Sequence, residues 1–275
     1  FMPRVNGVGD GRARLRKIIG ARFGKWGVVD VEVRNGHAVL PPGHAVITII
    51  HRHGRHEAGP QTCITDGWGA PRGAIATTIS HDSHNLLVLG RDPADMRAAA
   101  NALISAGGGM AVAEGGRVTA LLPLPIAGLL ADTPPEQTAA YFATLRAAAD
   151  RVIDWELPFR VFRGLTGLSL ACNAGPHPTD LGLTDGGTGD IFDPAEALPA
   201  SSPAAPCSPP RCRPRRPPSR RVPGRRPPVS SSPTAPATSP IRSRVCCWRF
   251  WASATAGASP PTTSPAPAGC SAPTR

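Results

Sequence analysis

All 19 acidic residues of this 275-residue chain lie at or before Glu196, whereas 12 arginines fall within 199–275. This break, near Ala197, limits what the chain can fold into more than any single motif does. Before it, 18 basic residues face 19 acidic ones, a net charge of about −1, and apolar positions recur with strand and helix periods. After it the chain carries +12 and is built of Pro, Ser, Ala, Thr and Arg. Prolines there are too frequent for a helix or a β-ladder, and periodic apolar positions are nearly absent. Residues 199–275 are therefore expected to be a disordered Pro/Arg/Ser-rich tail, and the net charge of +11 describes neither part of the chain. Two origins of the tail stay open: translation of a GC-rich gene in a shifted frame, or a natural Arg/Pro-rich arm able to contact phosphate. No nucleic-acid partner is expected for the first part.

Of seven cysteines only Cys63 and Cys172 precede the break, too far apart for a metal knuckle or a disulfide framework. Cys246 and Cys247 are adjacent, which is not the spacing of a zinc or redox motif. With no run of 18 apolar residues and no signal pattern, a reduced cytoplasmic setting without a membrane span is expected. The amino end at Phe1 leads us to expect that residues 1–11 are the remnant of a longer chain.

Val28 to Val33 alternates apolar residues with Asp30 and Glu32, and Asn35-Gly36 then supplies a hairpin turn before His37 to Leu40. Ala45 to Ile50 is a continuous β-branched run, the pattern of a strand buried on both faces. Further strands are expected at Ala74 to Ile79 and Leu86 to Leu89, with a hairpin of Met110 to Ala113 and Arg117 to Leu121. Asp92-Pro93 provides a cap and a first-turn proline for a helix to about Ala106, ended by Gly107-Gly108-Gly109. A second helix runs from Thr133-Pro134-Pro135-Glu136 to Val152, and Pro158 to Leu170 reads as a third. The prolines at 123 and 125 make Leu122 to Leu130 a loop or a short edge segment. The fold class expected over 12–198 is an α+β (α/β layered) domain with a mixed β-sheet and flanking helices.

Two polar clusters stand at the ends of these strands. His51-Arg52-His53 has HxH spacing; on a strand, residues i and i+2 share a face, so two imidazoles could reach one metal. Taken alone this signal is weak, since many such triplets are surface or hydrogen-bonded histidines, and Arg52, Arg55 and His56 could equally form an anion or carboxylate pocket. Ser80-His81-Asp82-Ser83-His84-Asn85 places two histidines, an aspartate and an asparagine between apolar strands, where they are costly to bury without partners. Asp82 could orient a histidine and His81 or His84 could shuttle a proton, or the segment could be a satisfied turn locking two strands. There is no P-loop, no GxSxG elbow and no second metal-type cluster.

The stretch Gly67-Trp68-Gly69-Ala70-Pro71-Arg72-Gly73 through Thr77-Thr78-Ile79-Ser80-His81-Asp82-Ser83-His84-Asn85 strongly resembles the carboxy-terminal domain of adenine deaminases. Ile47 to His56, Gly90-Arg91-Asp92-Pro93, Gly107 to Val112, Leu122 to Leu130 and Leu170 to Gly186 resemble the same family in the same order, so the likeness spans about 12–196. Ala174 stands where the family pattern has proline, a departure confined to a loop. The resemblance implies the amidohydrolase superfamily, whose members of this kind hydrolyse adenine to hypoxanthine and ammonia in purine salvage. It implies a binuclear manganese or iron site inside a (β/α)8 barrel, with metal-bound hydroxide attacking C6 of the purine and a barrel carboxylate protonating the ring. The barrel is expected to be missing here, so the chain is expected to hold no metal and to be inactive alone. His51 and His53 are not equated with the superfamily's first-strand HxH. Instead His81, Asp82 and His84 are expected to border the active-site mouth, and His51, Arg52, His53, Arg72 and Asn85 to line a substrate or domain interface. The complete enzyme is expected to be a homo-oligomer. A stand-alone binding or regulatory domain is the alternative. No stacked-purine pocket is assigned to Trp26, Trp68 or Trp155.

Overall fold

A computed structural model of the chain describes residues 1–20, 24–69, 72–154 and 161–200. Most of the tail, with Trp155 and the start of the third expected helix, lies outside the described residues.

Among the described residues nine strands form one sheet in the order β3-β2-β1-β5-β4-β7-β6-β8-β9. They are β1 (Gly11–Ile19), β2 (Lys25–Arg34), β3 (His37–Val39), β4 (Ala45–Ile50), β5 (Gln61–Asp66), β6 (Ala74–Thr77), β7 (Leu86–Gly90), β8 (Gly109–Glu114) and β9 (Arg117–Pro123). β1 and β5 pair in parallel and every other neighbouring pair is antiparallel, so the sheet is mixed. Three helices accompany it: α1 (Pro93–Ala106), α2 (Pro135–Val152) and α3 (Val161–Leu168). β10 (Pro176–Thr179), β11 (Gly182–Asp185) and β12 (Ile191–Phe192) make a separate three-stranded sheet.

The continuous apolar runs of β4 and β7 follow from their central places, because each strand must supply buried side chains to both faces. Ile47, Ile49, Ile75, Leu87 and Leu89 pack on one face with Leu145, Val152, Val161 and Leu165 of α2 and α3. Val46, Ala74, Ala76, Leu86 and Val88 point the other way, onto Met96, Ala99, Ala100 and Leu103 of α1. Those four helix positions recur at the spacing that forms one buried stripe. Asp92 caps α1 by accepting from the amides of Ala94 at 2.7 Å and Asp95 at 3.2 Å, and Gly107, at φ +76°, closes it in the left-handed conformation.

Residues 1–10 are packed against this body rather than trailing from it. Val5 is buried and donates its amide to Gly36 O, and the Asn6 amide donates to Ala195 O. The small sheet is held by Trp26, whose ring meets Phe192 edge-on at 5.3 Å while Nε1 donates to Asp185 Oδ2 at 2.5 Å. Arg16 lies over the same Phe192 ring at 4.4 Å. Pro123 pairs with Gly109 on the outermost strand, β9, where a missing amide costs no ladder bond toward solvent.

Candidate functional site

Strand register decides which polar segments meet. Ile50 pairs with Leu86, Thr77 pairs with Leu87, and Gly109 pairs with Pro123. The end of β4, the end of β6, the start of β7 and the end of β9 therefore fall at one end of the sheet. The segments 51–60, 78–85 and 124–130 emerge there together, so the two histidine-bearing clusters, apart in sequence, form one polar patch.

Arg52 is the link between them. Its Nε donates to His84 O at 2.6 Å, its Nη2 donates to Ala127 O at 2.5 Å, and its amide lies 3.3 Å from Asn85 Oδ1. Burial pulls the Arg52 guanidinium down from its ordinary pKa. His53 Nε2 meets Ser83 O at 2.6 Å, a second tie between the same two segments. Gly128 makes room for the guanidinium: its φ is +74°, and a Cβ there would stand 2.7 Å from Arg52 Nη2. Beneath the patch Thr78 Oγ1 donates to Gly128 O at 2.6 Å, and the hydroxyls of Ser80 and Ser169 meet at 2.6 Å.

His81 and Asp82 are exposed, with the His81 ring 5.6 Å from that of His84 in an edge arrangement. His84 has a left-handed backbone, φ 50°, and its amide donates to Ser80 O at 2.6 Å. Burial, then the neighbouring positive charges of His81 and Arg52, hold the His84 imidazole below its ordinary pKa. Its Nδ1 and the Nδ2 of Asn85 are both buried without a hydrogen-bond partner. Buried polar atoms left unsatisfied in this way are costly unless something else contacts them.

Arg72 is not brought into this patch. Its contacts are at the carboxy end of α2, where Nη2 donates to Arg151 O at 2.8 Å and the amide donates to Val152 O at 2.7 Å. The strand premise of the HxH reading also fails. β4 ends at Ile50, so His51 and His53 lie on a loop, and His53 is engaged with Ser83 while His51 turns toward His56 and Asp180. Asp180 was not singled out from the sequence, where nothing local marks it. It occupies the tip of the β10–β11 hairpin, whose register pairs Thr179 with Gly182. Trp68 is a core residue and Trp26 a structural tie, so neither offers an open stacking platform.

The fold and patch together define a layered α+β domain that presents imidazoles and a carboxylate at one sheet end, with the underlying loops locked by main-chain bonds. A family model described as the adenine deaminase C-terminal domain matches residues 22–190, and the chain belongs to that family. It is 57% identical over 194 residues to an adenine deaminase of Klebsiella pneumoniae strain 342, covering 70% of this chain and 32% of that protein. An adenine deaminase of Serratia proteamaculans is 55% identical over 194 residues, covering 70% of this chain and 33% of that protein. Adenine deaminase 2 of Rhizobium meliloti is 51% identical over 181 residues, covering 66% and 30%. The chain thus spans about a third of the length of these relatives.

Proposed function

We propose that this chain serves as the carboxy-terminal domain of an adenine deaminase, contributing to hydrolysis of adenine to hypoxanthine and ammonia only alongside a metal-bearing barrel. The observation that carries this reading is the 57% identity to a named adenine deaminase, restricted to 32% of that protein's length. The chain alone is inactive in this account. A binuclear manganese or iron centre needs several histidines and carboxylates around two ions. Among the described residues a single group of three donors, His51, His56 and Asp180, lies within 4.8 Å, and this set does not fit a two-metal centre.

The patch at the sheet end is the surface that would border the barrel's active-site mouth. In this reading His81, Asp82 and His84 face substrate, with burial holding the His84 imidazole below its ordinary pKa and so favouring its neutral form. His51, Arg52, His53 and Asn85 position that edge, and Arg72 lies on a separate part of the domain interface. In the complete enzyme we place the protein as a cytoplasmic homo-oligomer of purine salvage. Cys63 and Cys172 are free thiols, the state that a reducing compartment maintains.

The test is a chimaera in which residues 1–198 replace the corresponding carboxy-terminal segment of the Klebsiella protein. A soluble, metal-loaded chimaera that deaminates adenine is the expected result. A folded, metal-loaded chimaera without activity would overturn the assignment.

A further inference from the structure

Outside the His81–Asn85 segment, a second cluster joins the large sheet's β4–β5 loop to the tip of the small sheet's hairpin. The Nδ1 of His51 lies 2.8 Å from Asp180 Oδ2, and the Nε2 of His56 lies 3.3 Å from the same oxygen. The two imidazoles face one another at 4.1 Å between centroids, tilted by 33°. The His51 side chain is only 6 % exposed and that of Asp180 15 %, against 41 % for His56. A nearly buried carboxylate beside two imidazoles requires compensation.

The short His51–Asp180 approach is not a hydrogen bond. The carboxylate oxygen stands off the N–H direction, leaving Nδ1 buried and without a hydrogen-bond partner despite the 2.8 Å separation. Ligands of one metal ion show this relationship. Each donor points its lone pair at a common centre, so neighbouring donors are close without being aimed at each other. Donors about 2.1 Å from a zinc ion, at tetrahedral to octahedral angles, stand about 3.0–3.4 Å apart. The His56–Asp180 separation of 3.3 Å lies in that range and the His51–Asp180 separation of 2.8 Å just below it, and the three donors lie within 4.8 Å of one another, close enough for a small shift to bring them onto one ion.

We propose that His51, His56 and Asp180 form a mononuclear site for a first-row divalent cation of the zinc type, pinning the β10–β11 hairpin to the loop after β4. Two imidazoles and a carboxylate suit zinc better than magnesium or calcium. Three protein donors with His56 open to solvent leave a coordination position for water. One contact opposes ligation: the Arg55 amide, 3.3 Å from Nε2 of His51, favours the tautomer protonated on Nδ1. At that length the bond is weak, and Arg55 sits on an exposed loop, so it yields when Nδ1 binds.

The experiment is zinc titration of the full chain, competed against a chromogenic chelator, after alkylating accessible thiols so that cysteines do not contribute. One zinc ion per chain is expected, with His56→Ala and Asp180→Asn each weakening binding more than about tenfold, the least expected from loss of a group that supports a metal. His37→Ala, in β3, should leave binding unchanged. His56 is a solvent-facing loop residue, so its variant keeps the fold under test even if Asp180→Asn unfolds. Cobalt substitution should give visible absorption that the His56→Ala variant loses. No zinc uptake, or uptake equal in wild type and both ligand variants, would overturn the site.

Discussion

The Nε of Arg52 donates to the main-chain carbonyl of His84 at 2.6 Å, so a side chain on the loop after β4 fixes the segment between β6 and β7. The same guanidinium reaches Ala127 O, which makes one charged group the tie among three loops.

Replacing Arg52 should therefore act on stability before it acts on chemistry. Bonds from a charged donor contribute about 1.5–3 kcal/mol each, and the planar fork serves two carbonyls that an ammonium cannot reach together. Arg52→Lys should lower the melting temperature by several degrees, since about 1 kcal/mol corresponds to about 2–4 °C in a domain of this size. Thermal unfolding followed by circular dichroism reads this, and an unchanged transition would remove Arg52 from the account.

Gly128→Ala should damage the same contact from the other side. The glycine is at φ +74° and a Cβ would meet Arg52 Nη2 at 2.7 Å, so strain and displacement add. A loss of about 1 kcal/mol or more is expected in denaturant unfolding. Combined with Arg52→Ala the cost should be less than additive, because the displaced group is then gone.

The pH dependence of stability should carry the mark of His84. Its folded pKa lies below the ordinary value, so the unfolded chain binds the proton more readily as pH falls through about 6.5, the usual histidine value. Stability is thus unaffected by this group above that pH and decreases below it until the folded form also protonates. Melting temperatures between pH 7.5 and 5.5 should fall less steeply for His84→Asn, which keeps a residue tolerant of the left-handed backbone at φ 50°. Identical slopes would contradict the placement of His84.

Thiol chemistry offers a check on burial. Cys63, on β5, is buried, and desolvation pushes its thiol up to about 12, whereas Cys172 is exposed. Alkylation of the native chain near pH 8 should label Cys172 and spare Cys63 until denaturant is added, as read by peptide mass spectrometry.

How legible each part was depended on what buries it. β4, β7 and α1 were readable because apolar runs and caps are local signals: Ala45 to Ile50, Leu86 to Leu89, and Asp92-Pro93 closing at Gly107. β5 was not, because Gln61-Thr62-Cys63-Ile64-Thr65-Asp66 looks polar. Its threonines are satisfied by distant groups, Thr65 Oγ1 by Ile18 O at 2.9 Å and Thr62 Oγ1 by Thr48 Oγ1 at 2.9 Å. β1 hid its buried residues, Ala13 and Leu15 on one face and Ile18 on the other, among Arg12, Arg14, Arg16 and Lys17. In the small sheet, the prolines at 176 and 178 obscured β10. The candidate site followed the same division. His51, Arg52, His53, His81, Asp82, His84 and Asn85 were visible as polar residues at strand ends, and register then united them. Asp180 was invisible, since only tertiary packing carries that hairpin tip to His51.

Without a barrel, these residues are expected to leave adenine untouched. Purified chain incubated with adenine and manganese should release no ammonia above the uncatalysed rate in a coupled glutamate dehydrogenase assay. Sustained release in proportion to chain concentration, abolished by His84→Asn, would contradict it.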